Sequence, residues 1–526
     1  MMFLSLLLLF FAPMLSAATP EQQRCAKCHA QEVAGFARSA MSRALSSGAT
    51  QPDGSFTHQP SGTTFTIRSG ANGMMQEYQR GTESSRQHIA YTIGSGSHAY
   101  GYLVEIGNHL FQSPISYYTR RHTWDMAPGY ETAAHPDFSR PVSEQCLACH
   151  SGKALPIADT LNQYETKPFA AEGITCDRCH GPTAAHLKNP VPGSIINPAR
   201  LTGAVRDSIC EQCHLAGELR VPNPGKTFTD FRPGQTLEDT YTVYLGAQPA
   251  GTGIKVISQA EQLRLSTCSR MSAGKLWCGT CHNPHDQPTP EKAAAYYRER
   301  CLSCHAATLD KAHAAPGRDC VGCHMPQQPA KDGGHTAFTD HRIARFPSPE
   351  KDMQAVSTVT AWREPAPPLR DRNLSIALIT LGLQNSSAPQ VVQGFRLLNQ
   401  VANQFPNDPA ALTSMATVLL RARQTAQALP RFEKALQLRP NYAPYEVNLA
   451  AALLEAKQTD AAIAHLKKAL QLDPLLEQAV HLLVRVYRQQ GQNDEAATVE
   501  REYQRAMGIV DGAASSLQMP GSLATH

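Results

Sequence analysis

The chain has 526 residues, a formal net charge of +4 and 42% hydrophobic residues. That length requires several domains, and so small a charge argues against nucleic acid or another polyanion as partner. Beyond the first eighteen residues no stretch is apolar enough to span a bilayer.

Met1 to Ala18 carries an apolar run of about ten residues, then Pro13 and the small residues Ser16 and Ala18 placed for cleavage before Thr19. This is the outline of a secretory signal peptide, residues 1–18, although no Lys or Arg precedes the apolar run. An uncleaved anchor would need about 20 uninterrupted apolar residues, and this run is shorter and broken by Pro13. No cysteine follows the expected cut, which argues against a lipid-anchored terminus. The expectation is an exported protein, periplasmic or extracellular at the cell surface, with no transmembrane span after signal cleavage.

Cys-x-x-Cys-His then occurs seven times and uses fourteen of the fifteen cysteines. The copies are Cys25/Cys28/His29, Cys146/Cys149/His150, Cys176/Cys179/His180, Cys210/Cys213/His214, Cys278/Cys281/His282, Cys301/Cys304/His305 and Cys320/Cys323/His324. Each has the form of a c-type haem attachment site, in which two thiols bond the porphyrin vinyl groups and the adjacent imidazole binds iron. Zinc sites built from paired hairpins would need an even number of hairpins and no histidine after every second cysteine. A disulfide framework leaves that histidine unexplained seven times. Seven covalently attached haem c groups are therefore expected. Covalent haem attachment takes place outside the cytoplasmic membrane, so the leader and the motifs reinforce each other.

Between Cys28 and Cys146 lie 117 residues without a motif. Thr63–Arg68, His88–Ile93, Ala99–Ile106 and Ile115–Arg120 are rich in β-branched and aromatic residues and are separated by Gly-Ser turns, which predicts a small antiparallel β module over about 55–125. The other six motifs follow every 19 to 68 residues, with short helices and much loop, and haem rather than a large aliphatic core is expected to fill that interior. The fold class expected is multidomain: a mostly α and loop heptahaem domain (19–345) holding the β module, followed by an α-solenoid.

Five prolines between Phe346 and Asn373 predict an extended, stiff linker at 346–374. A repeat of period 34 succeeds it: Pro406, Pro440 and Pro474 align, stacking Ala416, Ala450 and Val484, then Ala428, Ala462 and Ala496, then Ala435 and Ala469, then Phe432 and Leu466. This is the tetratricopeptide pattern. Three units are clear over 409–508, and a degenerate fourth at 375–408 has Gly382 and Gly394 in the small-residue slots. The repeat domain expected is thus 375–508, and 509–526 reads as a disordered tail.

Of twenty-one histidines, seven belong to the motifs and three (His465, His481, His526) to the repeats or tail. Eleven remain as candidate distal iron ligands: His58, His88, His98, His109, His122, His135, His186, His285, His313, His335 and His341. His186 follows His180 by six residues and His285 follows His282 by three. Those paths are too short to round the macrocycle, so any iron they bind is a neighbour's. Cys268, outside the motifs, reads as a buried inert thiol, the sharper alternative being a reactive thiol near the fifth haem.

The segments CDRCHGPTAAH, CGTCHNPH and CVGCHMP followed by HTAFTDHRI resemble multihaem cytochromes related in haem packing to the hydroxylamine oxidoreductase and cytochrome c nitrite reductase lineage, in particular exported ones fused to tetratricopeptide repeats. The resemblance runs from residue 25 to about 345 through discrete motifs. It implies distal roles for His186, His285, His335 and His341, and also for His98 and His313. Many relatives follow the first motif with Ser-x-His-Ala, whose histidine is distal. Here SAMSRA puts Met41 in that slot, and a thioether ligand raises the reduction potential relative to imidazole, so the expectation is a His29/Met41 first haem.

The function expected is electron transfer through a haem relay, with the repeats docking a protein partner, a redox donor or acceptor complex. The alternative is an oxidoreductase acting on a small nitrogen or sulfur compound at a five-coordinate haem. Nitrite reductases of that lineage place lysine at the active haem, and no Cys-x-x-Cys-Lys occurs here. Tyr117, Tyr118, Arg120, Arg121 and His122 form a polar run that would line such a pocket or equally a solvated strand end.

Overall fold

The computed structural model describes residues 20–48, 50–71, 73–246, 254–308, 318–344 and 358–510. The expected signal peptide, His313, residues 346–357 of the expected linker and residues 511–526 lie outside them.

Six strands in sequence order, Gly54–His58, Thr63–Gly70, Gly73–Arg80, Glu83–Ile93, Gly101–Ile106 and His109–Gln112, form an antiparallel meander. Side chains alternate between faces along a strand, so Phe65 and Ile67 are fully buried while Thr64 and Thr66 sit nearer solvent. Phe65 pairs across the ladder with Tyr78, and this face closes on Phe111, Trp124 and Phe138 as one core. Ile115–Tyr118 and Thr123–Met126 form a separate hairpin against it.

The segments bearing the later motifs are built differently. The helices Asp177–His180, Cys278–Cys281, Pro290–His305 and Cys320–His324 contain no fully buried residue. Whatever fills the interior there is not an aliphatic core.

The C-terminal region forms four antiparallel helix pairs: Leu369–Gln384 with Ala388–Val401, Pro409–Arg421 with Thr425–Leu438, Ala443–Glu455 with Thr459–Leu472, and Glu477–Gln489 with Asn493–Ala506. Ala416, Ala428, Ala450 and Ala462 are fully buried at the points of approach. In the first pair a Cβ on Gly394 would lie 2.8 Å from the Ser375 carbonyl oxygen, and one on Gly382 2.9 Å from Val391. The degenerate unit thus keeps its glycines because two helix backbones meet there.

Three expectations need correction. The first helix begins at Leu369, directly after Pro368, rather than at 375. The stretch after 358 is no free spacer: Thr360–Ala361 pairs with Tyr244 and Leu245, and Trp362, buried, donates its indole N–H to Glu211 at 3.0 Å. The start of the expected tail is a strand, Ile509 pairing with Ser85 and Val510 with Ser84.

The repeats are also stitched to the preceding part of the chain along one edge, at the three turns between pairs and at the end of the last helix. Arg372 bridges Asp408 and the Pro222 carbonyl. Arg439 meets Asp159 at 2.7 Å. His109 meets Asp473 at 3.0 Å, both buried, beside the Gln163 amide on the Leu472 carbonyl. Gln87 donates to the Met507 carbonyl at 2.7 Å. Among the described residues no helix is long and apolar enough to cross a membrane.

Candidate functional site

Motifs 1, 3 and 5 are each closed by one helical turn, and motifs 4 and 6 end longer helices. The amide of His29 bonds the Cys25 carbonyl at 2.9 Å, His180 bonds Cys176 at 2.9 Å, and His282 bonds Cys278 at 2.9 Å. Residues three and four apart share a helix face, so one turn presents both thiols together and sets the imidazole beside them. That is the donor arrangement a thioether-bound porphyrin requires.

The thiols are not equally enclosed. Cys28, Cys146, Cys304 and Cys323 are exposed, whereas the other motif thiols are half-buried. In the sixth and seventh motifs the physical reason is local. Cys301 and Cys320 turn toward each other, and their helices, Pro290–His305 and Cys320–His324, bury no residue of their own. Cys304 and Cys323, three residues further along each helix, are left at the surface, where the Ser303 hydroxyl lies 3.9 Å from the Cys304 sulfur. Exposure leaves both thiols chemically able to bond a vinyl group, but it makes these two attachment edges the most solvent-accessible of the later motifs.

The imidazoles are oriented for iron as well. A metal-bound histidine donates its second ring N–H to a nearby acceptor, which fixes the tautomer and ring angle. His180 Nδ1 lies 2.8 Å from the Ile196 carbonyl and His324 Nδ1 3.1 Å from that of Ala344. The corresponding partner is Tyr297 Oη for His282 at 3.2 Å and Gln259 Oε1 for His214 at 3.3 Å. With Nδ1 so engaged, His180, His214 and His282 would offer Nε2 to iron. Burial, with the neighbouring His341 and His214, pushes His282 down to about 4, so the ring is neutral at pH 7, as coordination demands.

Three pairs of histidine rings face one another across a gap. His29 and His186 have ring centroids 6.4 Å apart, His180 and His285 5.8 Å, and His282 and His341 6.2 Å, with interplanar angles of 27°, 16° and 30°. Two metal–imidazole bonds of about 2 Å each, with each ring nitrogen about 1 Å from its ring centre, separate the ring centres of a six-coordinate pair by roughly 6 Å. The spacing fits an iron between each pair. His186 and His341 carry their own Nδ1 acceptors, Ser194 Oγ at 2.8 Å and the Thr339 carbonyl at 2.9 Å.

The remaining candidates are placed otherwise. His186, not Met41, faces His29; the Met41 carbonyl accepts from the Ala44 and Ile174 amides. Both ring nitrogens of His335 are taken, by Arg121 at 2.9 Å and Asp125 at 2.7 Å, which leaves none for iron in this arrangement. His98 packs tilted against Phe338, with ring centroids 4.2 Å apart, and burial, then Arg120, push it down to about 4. His58 bonds Ser61 and the Glu131 carbonyl, so it serves the β module. Tyr117 and Tyr118 are buried strand residues, the Tyr118 hydroxyl donating to the Met126 carbonyl. A cavity of about 370 Å³ lies between Tyr118, His58, Asp125 and His335. Cys268 is half-buried rather than buried, near the Cys281 and Cys301 thiols.

Sites also adjoin through sulfur. The thiols of Cys149 and Cys213, of Cys210 and Cys278, and of Cys301 and Cys320 lie within hydrogen-bonding reach. Among the described residues no three His, Cys, Asp or Glu side chains converge as a zinc site would require.

Comparison with known proteins agrees with this chemistry. A family described as cytochrome c554 and c-prime matches residues 118–181, a doubled CXXCH motif family matches 271–309, and a tetratricopeptide repeat family matches 453–499. A multiheme cytochrome MtrA of Shewanella baltica (strain OS185) is 24% identical over 187 residues, which is 33% of this chain and 55% of that relative. The chain thus spans about half the length of the curated relative it matches. Among solved structures, MamA of Desulfovibrio magneticus RS-1 is 21% identical, covering 26% of this chain and 77% of that one at a TM-score of 0.23. Another MamA crystal structure is 18% identical at a TM-score of 0.23, with 26% and 80% covered. The chain carries multihaem c-type cytochrome features together with a tetratricopeptide repeat.

Proposed function

We propose that this is an exported heptahaem cytochrome whose haems form an electron relay, braced by a tetratricopeptide domain that also docks a redox partner. The observation that carries the reading is the set of three facing histidine pairs. They follow a rule: motifs 1, 3 and 5 meet the histidine located just after motifs 3, 5 and 7. When bound, haem supplies a one-electron iron couple at each site. The chain's own part would be to hold the iron between paired imidazoles, and to lock successive sites together by lending each ligand across to a neighbour.

In this reading His186, His285 and His341 are the distal ligands opposite His29, His180 and His282. His98 remains a candidate for another site, and the haem packing is akin to the hydroxylamine oxidoreductase and nitrite reductase lineage. Filling both axial positions favours electron transfer over substrate chemistry. The apolar leader and the relative's multihaem character support a periplasmic or cell-surface location. With one repeat edge packed on the cytochrome half, a partner meets the opposite edge, at the turns around Arg423, Lys457 and Gly491.

His285→Ala tests the pairing. One haem should turn high-spin in the oxidised EPR spectrum, and added imidazole should restore the low-spin signal. Combined with Cys176→Ala/Cys179→Ala, which removes the haem opposite, the substitution should produce no new high-spin signal. A high-spin signal that survives the triple change would assign His285 elsewhere.

A further inference from the structure

Arg220 is a buried cation, 8% exposed, at the junction of two motifs. Its guanidinium donates to the Gln212 carbonyl at 3.1 Å and the Leu215 carbonyl at 2.6 Å, and approaches Cys149 Sγ at 3.6 Å. Gln212 and Leu215 end the helix Gly203–His214 that bears the fourth motif, and Cys149 belongs to the second. Arg178, inside the third motif, reaches the same knot: it donates to the Ala148 carbonyl at 2.6 Å, and Gln212 Nε2 donates to its own carbonyl at 3.1 Å.

A buried charge is costly without compensation. Here the compensation comes from the negative end of the helix dipole and from the Tyr241 ring, 5.7 Å away. None of the three hydrogen-bond acceptors is a carboxylate. The sulfurs offer no lasting counter-charge either. Once the Cys149 and Cys213 thiols are alkylated by haem vinyl groups they are neutral thioethers, so the guanidinium keeps its full charge against the bound cofactor. Reduction adds one electron there, and a fixed cation in a low-dielectric setting favours the reduced form.

Resting on the haem reading above, we propose that Arg220, assisted by Arg178, is a tuning residue that raises the reduction potentials of the haems attached at Cys146/Cys149 and Cys210/Cys213, making this junction the electron-accepting centre of the relay.

The test is a spectropotentiometric titration of the full-length, haem-loaded Arg220→Met protein, with covalent haem counted by mass on the same sample. One or two of the one-electron steps should move to lower potential by at least tenfold in equilibrium constant, about 59 mV each, while the rest stay in place. Arg220→Lys, which keeps the charge, should leave the potentials near their original values even if it melts earlier, which a purely structural role does not predict. If Arg220→Met matures poorly, Arg178→Gln on the more open side of the knot carries the test, with a smaller shift of the same sign. A full haem complement with unmoved potentials in whichever variant matures overturns this proposal alone. A mass without added haem overturns the reading beneath it.

Discussion

Arg372 illustrates how much one side chain holds. It is 2% exposed and forks onto both oxygens of Asp408, at 2.7 and 3.1 Å, while its other nitrogen reaches the Pro222 carbonyl and Asn373. Asp408 in turn caps the helix Pro409–Arg421 through the amides of Ala410 and Ala411. Removing one member of a buried pair strands the other, at about 3–5 kcal/mol. Asp408→Ala should therefore destabilise the repeats by about that much in urea melts followed by helical circular dichroism. Arg372→Met should cost less, because the remaining carboxylate keeps its capping amides. The reverse order would refute this account. None of it was legible in the sequence, where Arg372 sits among prolines and charges with no pattern to single it out. The seven motifs were legible because their spacing is their chemistry. How open each one is was not: Cys304 and Cys323 have the same local sequence signature as the half-buried Cys179 and Cys281, and only the packing of neighbouring segments separates them. The Nδ1 acceptors were hidden too, since Ile196, Thr339 and Ala344 contribute carbonyl oxygens, which any residue supplies. Local sequence favours Met41 opposite His29, but the chain folds back so that His186, 157 residues past His29, takes the facing position.

At the level of elements, period marked the repeat helices and composition several strands, while the motif-bearing helices and the remaining strands depend on long-range packing. Gly73–Arg80 shows no apolar alternation in sequence because Gln76 occupies a buried inward position between Met74 and Tyr78, where its side chain accepts from Ser113 at 2.5 Å. The strand Ile509–Val510 escaped because two residues carry no periodicity; only the Glu83–Ile93 strand gives them a role. That pairing yields a prediction. A chain ending at Val510 should keep the amide of Ser84 protected from hydrogen exchange, because Ser84 turns toward Val510 while Ser85 turns toward Tyr78. One ending at Gly508 should lose that protection and about 1–2 kcal/mol of local stability, since each net backbone hydrogen bond is worth about 1 kcal/mol. The visible spectrum should be the same in both. Equal protection in the two chains would mean that the strand contributes nothing.

Across the whole molecule, two kinds of interior are joined. The β module and the repeats have cores of apolar side chains, such as Phe65, Ile67, Tyr102 and Phe111 in one and Ala450, Ala462, Leu466 and Ala479 in the other. The segments around motifs 3, 5, 6 and 7 have helices without a single fully buried residue. A backbone ordered there loses about 1–2 kcal/mol of conformational free energy per residue, and apolar burial within those helices does not offset it, so the cofactor must. The stitched edge then has a physical purpose: the repeats and the β module, stable on their own packing, frame a middle that depends on haem. Chain made without haem attachment should accordingly be cut early by a dilute protease within residues 254–344, while fragments spanning 54–126 and 369–506 persist. Mass spectrometry of the digest would read this directly. Loss of the repeats as fast as the middle would show that they lean on the haem half for their own fold. Survival of 254–344 without haem would show that this segment has a core of its own.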